Sequence, residues 1–543
     1  MNTTTVTQPK RQDRTQNLGL TPYSGAWGED QIIHLLRRTM FGVKRSDVVY
    51  FKTKTMTQAV NELLNVNLTP AAPPVNTYSD LDAAVPIGQT FVNAPRNNTY
   101  EGARRAAWKT WKIGQLIGQD RSILEKMWLF WHNHFATETN DITDSRYVYK
   151  HHELLRANSL GNFKSLVRQV TTDPAMLVYL NGRANNKTAP DENYGRELQE
   201  LFTLGKGPDS KYTEADVKAA AKVLTGWQEN NVSISSLFNA NRHDTTNKQF
   251  SAFYNNTVIA GVTGVTGGAT ELDAMLNMIF AQPEVAKFIA RKVYTFFVYY
   301  TIDADVETNI IEPLADIFRN SGYEIKPMID ALLKSEHFFD TANKGCVIRS
   351  PLDFLIGTVR TLNIAFPTDS PDAINQYKAW RQILGIAIVL QQDPGDPPNV
   401  AGWAAYYQMP QYHEIWINSS TLPNRNKTTD GFVAGINVAN TGGAVKIKVD
   451  AVAFAESLPN ATNPNLLIDE ATKLLHGVSL STASKNAIKF GTLNANQAAD
   501  TAWTTAWNAY VADPTNATKK STVNTRLNGL LIYIMRLSEF QLS

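Results

Sequence analysis

Two histidines within a run of aromatic residues have the side-chain chemistry of metal ligands. His132 and His134 stand in ILEKMWLFWHNHFAT, residues 123–137. On a regular α-helix, side chains two positions apart point about 200° away from each other, whereas on a strand they share a face. If both imidazoles bind one metal ion, we therefore expect the helix to unwind near Asn133. The alternative interpretation is that one histidine packs in the core and the other caps the helix.

Two carboxylates in a second segment could complete such a site. In DENYGRELQELFTLGKG, residues 191–207, Glu197 and Glu200 are three positions apart and share a helix face with Asn193. Carboxylates on one helix and imidazoles on another are what a zinc, iron or manganese site in a helical bundle needs. The spacing differs from the ExxH pattern of di-iron bundles. Alternatively, Arg196 neutralises Glu200 four residues later, and the stripe is a solvated ion-pair face.

A third candidate is the neighbouring pair His243 and Asp244, in an irregular segment that reads RHDTTNK. A histidine beside an aspartate supplies a base with an orienting acid, or a nitrogen and an oxygen ligand. His151 and His152 occur instead in YKHHELLR. We expect these two to be ordinary exposed helix residues without a role.

Helical periodicity dominates the elements that must position these groups. Apolar residues recur at helical spacing over 30–41, 46–64, 100–117, 121–135, 146–159, 163–171, 193–204, 213–226, 271–280, 284–300, 309–321, 325–335 and 352–362. Thr213 stands at a natural N-cap position, and acidic residues follow it in the first turn. We therefore predict a mainly α protein, built as a large multi-helix domain with short β-hairpin and loop insertions.

Three stretches interrupt the helical pattern and define the predicted domains. Residues 67–99 are rich in Pro, Asn and Thr and predict a long surface loop, and residues 230–268 predict a hairpin insertion. The stretch 428–452 contains a third β-like piece, after which residues 465–542 return to helices. The predicted units are a flexible arm over 1–18, a large helical domain over 19–425 and a carboxy-terminal segment over 426–543. The glycines of 261–268 do not match a dinucleotide fingerprint, so we expect no nucleotide cofactor.

The composition excludes several classes of protein. The 543 residues include 52 basic and 50 acidic side chains, so no global field attracts nucleic acid, and we expect no nucleic-acid partner. A single cysteine, Cys346, excludes an intramolecular disulfide and a cysteine-ligated iron–sulfur cluster. The longest apolar runs, 293–302 and 383–390, are too short to span a membrane. Residues 1–17 lack an apolar h-region, so no ordinary secretory signal is visible.

Several segments, taken together and in order, resemble a known family. They are HLLRRTMFG (34–42), EKMWLFWHNHFAT (125–137), LGNFKSLV (160–167), DPAMLVYLNG (173–182), ENYGRELQELFTLGKG (192–207), YTEADVKAAAKVLTGW (212–227), RHDTTNK (242–248), FIARKVYTFFV (288–298), IRSPLDFLIGTVRTL (348–362), PPNVAGW (397–403), WINSSTLPNRN (416–426) and the terminal SEFQLS. The chain resembles the large bacterial family catalogued as domain of unknown function 1800. It departs from the expected pattern at QQDPGD (391–396), where a Gly-Gln pair would be expected.

The resemblance implies no established reaction. It implies a possible partner, because the genes of members often lie beside a gene for an exported protein of a second family, which is similar to sulfatases or phosphatases. The resemblance thus implies a periplasmic or extracellular location, whereas the lack of a visible secretory signal makes a cytoplasmic location the alternative. The family's pattern is met at the candidate residues above and at Trp227 and Trp403, which we interpret as packing anchors or a stacking wall.

Two hypotheses of function follow. The first is a metal-dependent enzyme, with a hydrolase favoured and an iron or copper oxidase as the other possibility. Its divalent ion, zinc, iron or manganese, would activate water while a carboxylate moves the proton. The expected ligands are His132, His134, Glu197 and His243, and the expected base is Glu200 or Asp244. The second hypothesis is a non-catalytic scaffold or assembly protein that acts with the exported partner.

Overall fold

The computed structural model describes residues 19–368, 373–406, 412–438 and 445–543. The predicted amino-terminal arm over 1–18 lies outside these residues. Helices make up most of the described chain, and the only sheets within it are three two-stranded antiparallel hairpins. The prediction of a mainly α fold is therefore confirmed.

The helices follow one another along the whole chain. The first group is α1 (Glu29–Thr39), α2 (Arg45–Phe51), α3 (Met56–Leu63), α4 (Glu101–Ile117), α5 (Leu124–His134), α6 (Ser145–Ala157), α7 (Phe163–Thr171), α8 (Pro174–Tyr179), α9 (Asn193–Glu197) and α10 (Glu214–Val223). The second is α11 (Gly267–Phe280), α12 (Pro283–Phe297), α13 (Ala304–Val306), α14 (Glu312–Asn320), α15 (Ile325–Leu333), α16 (Glu336–Phe339), α17 (Pro351–Thr361) and α18 (Ile374–Val389). The third is α19 (Thr421–Ala434), α20 (Ala451–Glu456), α21 (Pro464–Leu475), α22 (Thr482–Gly491), α23 (Thr501–Ala512) and α24 (Ala517–Arg536).

Local sequence signals explain where helices begin. Thr213 caps α10 as expected, and its hydroxyl accepts a hydrogen bond from the Asp216 N–H. Thr55 forms the same kind of capping box with Gln58 at the start of α3. For this reason the single helix predicted over 46–64 is two helices, with a turn between α2 and α3. Ser350 caps α17, in which Pro351 takes the first position, where a proline costs no hydrogen bond.

The insertions contain the strands. Strand β1 (Trp227–Asn230) pairs with β2 (Ser235–Phe238), and β3 (Lys248–Gln249) pairs with β4 (Val258–Ile259), so the insertion predicted over 230–268 contains hairpin structure. Strand β5 (Ile436–Val438) pairs with β6 (Val445–Ile447) in the third β-like stretch. The loop over 67–99 is irregular apart from a single bridge between Val75 and Thr90.

One hydrophobic core extends through the first, second and third groups of helices. Near the end of the chain, Leu542 forms a β-bridge with Ile348, and the Arg349 N–H donates to the Gln541 carbonyl at 2.8 Å. Helix α19 runs through the predicted domain boundary at 425–426 and packs on α24. The division into domains stays a prediction. Among the described helices, none combines the length and the apolar character needed to cross a membrane.

Candidate functional site

His132 and His134 lie on one regular helix, because α5 runs to His134 without unwinding at Asn133. Both side chains are buried. The His132 Nε2 accepts a hydrogen bond from the Gly395 N–H at 3.0 Å, and its ring lies 5.3 Å from that of Trp403. The two imidazoles therefore point to different parts of the core, as the helical period requires.

His134 uses both ring nitrogens in hydrogen bonds. Its Nε2 donates to the Phe202 carbonyl at 3.1 Å, and its Nδ1 accepts from the Lys292 ammonium at 3.0 Å. Burial lowers the pKa of Lys292 to about 8. The Phe202 carbonyl belongs to a π-helical segment, Leu198–Thr203, which continues α9. No nitrogen of His134 is left to bind a metal ion.

Glu197 and Glu200 lie at the junction of α9 and this π-helical segment. Glu200 forms an ion pair with Lys206. Glu197 is half-buried, and burial first, then the neighbouring Glu200, raises its pKa above the ordinary value. Arg196 pairs with Glu192 and Glu214 and not with Glu200. The two carboxylates form a partly exposed polar patch.

His243 belongs to a buried charge cluster that fixes its loop to α11. Its Nε2 donates to Glu271 at 3.0 Å, and its Nδ1 lies 2.9 Å from the Thr225 carbonyl. Lys248 pairs with the other oxygen of Glu271 at 2.5 Å, and both side chains are fully buried. Asp244 accepts hydrogen bonds from the Thr246 N–H and hydroxyl. These contacts account for both residues as loop anchors.

The expected metal ligands are not brought together. Throughout the described ranges, no group of three or more His, Cys, Asp and Glu side chains is arranged to hold a metal ion. His132 contacts the loop at Gly395, His134 contacts Lys292, and His243 contacts Glu271. The residues present do not fit the expected site, and the metal ion stays a prediction.

His151 and His152 correct an expectation, because both are buried and not exposed. His152 faces α5, and its ring lies 4.5 Å from that of His132. His151 Nδ1 lies 3.0 Å from Asp173, whereas neither ring nitrogen of His152 has a hydrogen-bond partner among the described residues. The periodicity of α6 alone did not show that both its sides are covered.

The structure reveals a different site, a cleft between α1 and α21. Its volume is 550 Å³. One wall is a single face of α1, with Asp30, Ile33, His34 and Arg37 at positions i, i+3, i+4 and i+7. The opposite wall repeats the same spacing at 469, 472, 473 and 476 of α21 and its C-cap. We call this space the α1–α21 cleft.

The α1–α21 cleft carries an excess of basic side chains. Lys473 pairs with Asp30 at 2.9 Å, and Lys485 pairs with Asp469 at 2.8 Å. Two further cations, Arg37 and Lys344, line the cleft, and no aspartate or glutamate among the described residues forms an ion pair with either. The excess remains even when the carboxylate of Ser543, which also lines the cleft, is counted as a further negative charge.

Arg37 is buried at the base of the cleft and satisfied mainly by main-chain groups. Its Nη2 donates to the Leu474 carbonyl at 2.7 Å, while its Nε has no partner in the described chain. Burial, followed by repulsion from Arg349 and Arg38, lowers the pKa of Arg37 to about 9. The group is still a cation at neutral pH.

Three more buried arginines lie behind Arg37 and bond chiefly to main-chain carbonyls. Arg38 donates to the Asn343 carbonyl, Arg349 to the Asp353 and Phe540 carbonyls, and Arg425 to the Arg349 carbonyl. Burial lowers the pKa of Arg349 to about 10 and that of Arg425 to about 9. Buried charges without paired acids keep an electrostatic attraction for anions that exposed charges lose to water.

Two imidazoles complete the lining. His34 Nε2 lies 2.9 Å from the Phe338 carbonyl, and His476 Nε2 lies 3.1 Å from the Ile534 carbonyl. Because a carbonyl only accepts, each Nε2 carries the proton, and each Nδ1 keeps a lone pair in the neutral ring. Burial lowers the pKa of His34 well below its ordinary value and that of His476 to about 4.

A family model, described as "Protein of unknown function (DUF1800)", matches residues 34–542. The chain belongs to the DUF1800 family. Neither the curated proteins nor the solved structures contain a match to it. The family match confirms the resemblance found in the sequence.

The motifs that carried the DUF1800 resemblance have two structural roles. Some interlock: EKMWLFWHNHFAT contacts PPNVAGW where the Trp403 N–H donates to Asn133 Oδ1 at 2.9 Å, and LTGW contacts RHD through Thr225. Others meet at the cleft, because HLLRRTMFG supplies His34 and Arg37, and SEFQLS ends at Ser543. The sequence did contain a signal for the cleft, because the polar residues Asp30, His34 and Arg37 recur at helical spacing on α1. Only the apolar residues of that helix served to predict it.

Proposed function

We propose that this protein binds an anionic small molecule in the α1–α21 cleft. The observation that supports the proposal is that Arg37 and Lys344 line the cleft without an aspartate or glutamate partner in the described residues. A partly desolvated cation attracts an anion more strongly than an exposed one, because the protein around it has a lower dielectric constant than water. A phosphate, sulfate or carboxylate group has the complementary charge.

The size of the cleft agrees with a small-molecule ligand. Its 550 Å³ lie within the range of about 300–1,000 Å³ that is typical of ligand sites. His34 and Arg37 belong to α1 and are held in place before binding, whereas Lys344 lies in the loop that follows α16. A preorganised site loses less entropy on binding than a flexible one does.

Calorimetric titration of the full chain with inorganic phosphate tests the proposal. We expect the wild-type protein to bind phosphate and Lys344→Gln to bind it about tenfold more weakly or worse, because a charge-assisted hydrogen bond contributes about 1.5–3 kcal/mol. Lys287→Gln is the matched control, since Lys287 pairs with Glu312 and does not line the cleft. Equal loss in both variants would contradict the proposal, as would a wild-type protein that binds neither phosphate nor a carboxylate.

The two hypotheses drawn from the sequence stay predictions. A metal-dependent hydrolase or oxidase requires a stoichiometric metal in the purified protein that is lost from the His132→Ala, Glu197→Ala double variant. A scaffold that acts with a sulfatase-like or phosphatase-like partner requires a complex of the two purified proteins. Elemental mass spectrometry and size-exclusion chromatography, respectively, decide these two questions.

A further inference from the structure

The α1–α21 cleft combines two kinds of group that a simple inorganic anion would not need together. Arg37 and Lys344 offer positive charge and N–H donors. His34 and His476 offer the opposite, because each has its proton fixed on Nε2 by a main-chain carbonyl and presents Nδ1 as an acceptor. A ligand that satisfies all four must carry both an anion and hydrogen-bond donors.

The two acceptors lack other partners. His476 Nδ1 is buried without a hydrogen-bond partner in the described part of the chain, and His34 Nδ1 forms no hydrogen bond with another described residue. A buried acceptor without a partner, such as His476 Nδ1, costs free energy, which a ligand donor would offset. Burial first, and then the flanking cations Arg38, Lys344 and Arg37, hold the pKa of the His34 ring well below its ordinary value. His34 therefore stays an acceptor while the cations hold the anion.

We infer, on the basis of the proposed function, that the ligand carries hydroxyl groups beside its anionic group, as a sugar acid or a sugar phosphate does. The anion lies against Arg37 and Lys344, and a hydroxyl donates to Nδ1 of His34 or of His476. The hydroxyl group is the donor that fits, because an ammonium group would be repelled by the excess of positive charge in the cleft. The volume of 550 Å³ accommodates a monosaccharide with its anionic group.

A matched pair of ligands tests the inference. Glucuronate and cyclohexanecarboxylate each carry one carboxylate on a six-membered ring, and glucuronate adds the hydroxyl groups. We expect glucuronate to bind the full chain at least tenfold more tightly than cyclohexanecarboxylate in calorimetric titrations. A comparison of glucose 6-phosphate with inorganic phosphate repeats the test for a phosphate group. Whichever of glucuronate and glucose 6-phosphate binds more tightly identifies the preferred anionic group.

Variants assign the preference to the imidazoles. In His34→Gln, the amide nitrogen still donates a hydrogen bond to the Phe338 carbonyl. The substitution removes the acceptor that the imidazole has at Nδ1. We expect this variant to lose the preference, so that the ratio of the dissociation constants of cyclohexanecarboxylate and glucuronate falls at least tenfold toward one. His476→Gln makes the same change at the second imidazole, and its preference for glucuronate can be measured if His34→Gln does not fold. Lys344→Gln should weaken both ligands by the same factor.

The outcomes separate this inference from the proposed function. Equal binding of glucuronate and cyclohexanecarboxylate overturns the inference and leaves the anion site intact. A preference that survives in both His34→Gln and His476→Gln overturns it as well. If neither carboxylate, nor either phosphate ligand, binds the wild-type protein, the proposed function itself fails.

Discussion

The carboxylate of Glu271 is the group on which the buried loop anchor depends. It accepts from His243 and from the Val262 N–H, and it pairs with Lys248, whose side chain has no exposed surface. Burial alone would raise the pKa of Glu271, but these hydrogen bonds together hold it below the ordinary value. The carboxylate is therefore ionised at neutral pH and compensates the Lys248 ammonium.

Glu271→Gln should destabilise the fold strongly, because it leaves the Lys248 charge buried without its partner. Breaking a buried ion pair in this way costs about 3–5 kcal/mol. Glu312→Gln is the matched control: Glu312 is 45% exposed in its pair with Lys287, so we expect a much smaller loss of stability. Urea unfolding of the two variants measures the difference. Equal midpoints would show that the Glu271 cluster does not anchor the loop.

At this scale the sequence identified residues but not their partners. His243 and Asp244 were correctly placed in an irregular segment, yet the acid that faces His243 is Glu271, which follows 28 positions later. His34 and Arg37 carried no chemical prediction, because their partners are main-chain carbonyls contributed by α16 and α21. Main-chain partners leave no residue-type signal in the sequence.

Interlocked elements, rather than single contacts, hold the family motifs in place. Gly402 adopts a φ of +88°, and a Cβ there would lie 2.3 Å from Asn133 Oδ1 at the end of α5. The next residue, Trp403, donates its N–H to the same oxygen and packs its ring against His132. The loop at 399–403 therefore closes on α5 only if position 402 has no side chain.

Gly402→Ala should lower the thermal midpoint, because it combines a strained backbone with a clash against the Asn133 main chain and side chain. Gly385→Ala is the matched control: Gly385 lies within α18, and its added Cβ would meet nothing within 4 Å. An alanine in a helix interior is favoured by about 1 kcal/mol over glycine, so this control should raise the midpoint. Differential scanning calorimetry distinguishes the two, and a rise in both would refute the interlock.

Helix positions were largely predictable from periodicity, whereas helix irregularities were not. The predicted helix over 163–171 coincides with α7, and that over 100–117 differs from α4 by one residue. The helix predicted over 193–204 is instead α9 followed by the π-helical segment Leu198–Thr203. The Phe202 carbonyl of this segment accepts a hydrogen bond from His134, which lies 68 positions away, and helical periodicity does not encode such a partner.

The site as a whole could not be predicted, because it exists only between distant parts of the chain. The faces that form the α1–α21 cleft start at Asp30 and Asp469, more than 400 residues apart in the sequence. Each face alone looks like the solvated side of an amphipathic helix. Their meeting requires the packing of the last helices against the first, which depends on the entire core.

All nine histidines of the molecule are buried, none more than 7% exposed. Six of them have a pKa below the ordinary value of 6.5, chiefly because burial disfavours the charged ring: His34, His132, His134, His152, His413 and His476. In the unfolded chain these rings take up protons below about pH 6.5. The unfolded state then binds more protons than the folded state, so stability must fall as the pH decreases.

We therefore expect the thermal midpoint to be nearly constant between about pH 7 and 7.5 and to fall steeply between about pH 6.5 and 5, above the ordinary pKa of carboxylates. Each such histidine contributes up to about 1.4 kcal/mol per pH unit in this window. This pH dependence of stability should be absent above about pH 7, where the histidine rings of the unfolded chain are neutral. His476→Gln keeps a donor for the Ile534 carbonyl and removes one titrating ring, so its midpoint should fall less steeply than that of the wild type. Scanning calorimetry from pH 7.5 to 5 measures both slopes, and parallel curves would show that His476 is not held neutral by burial.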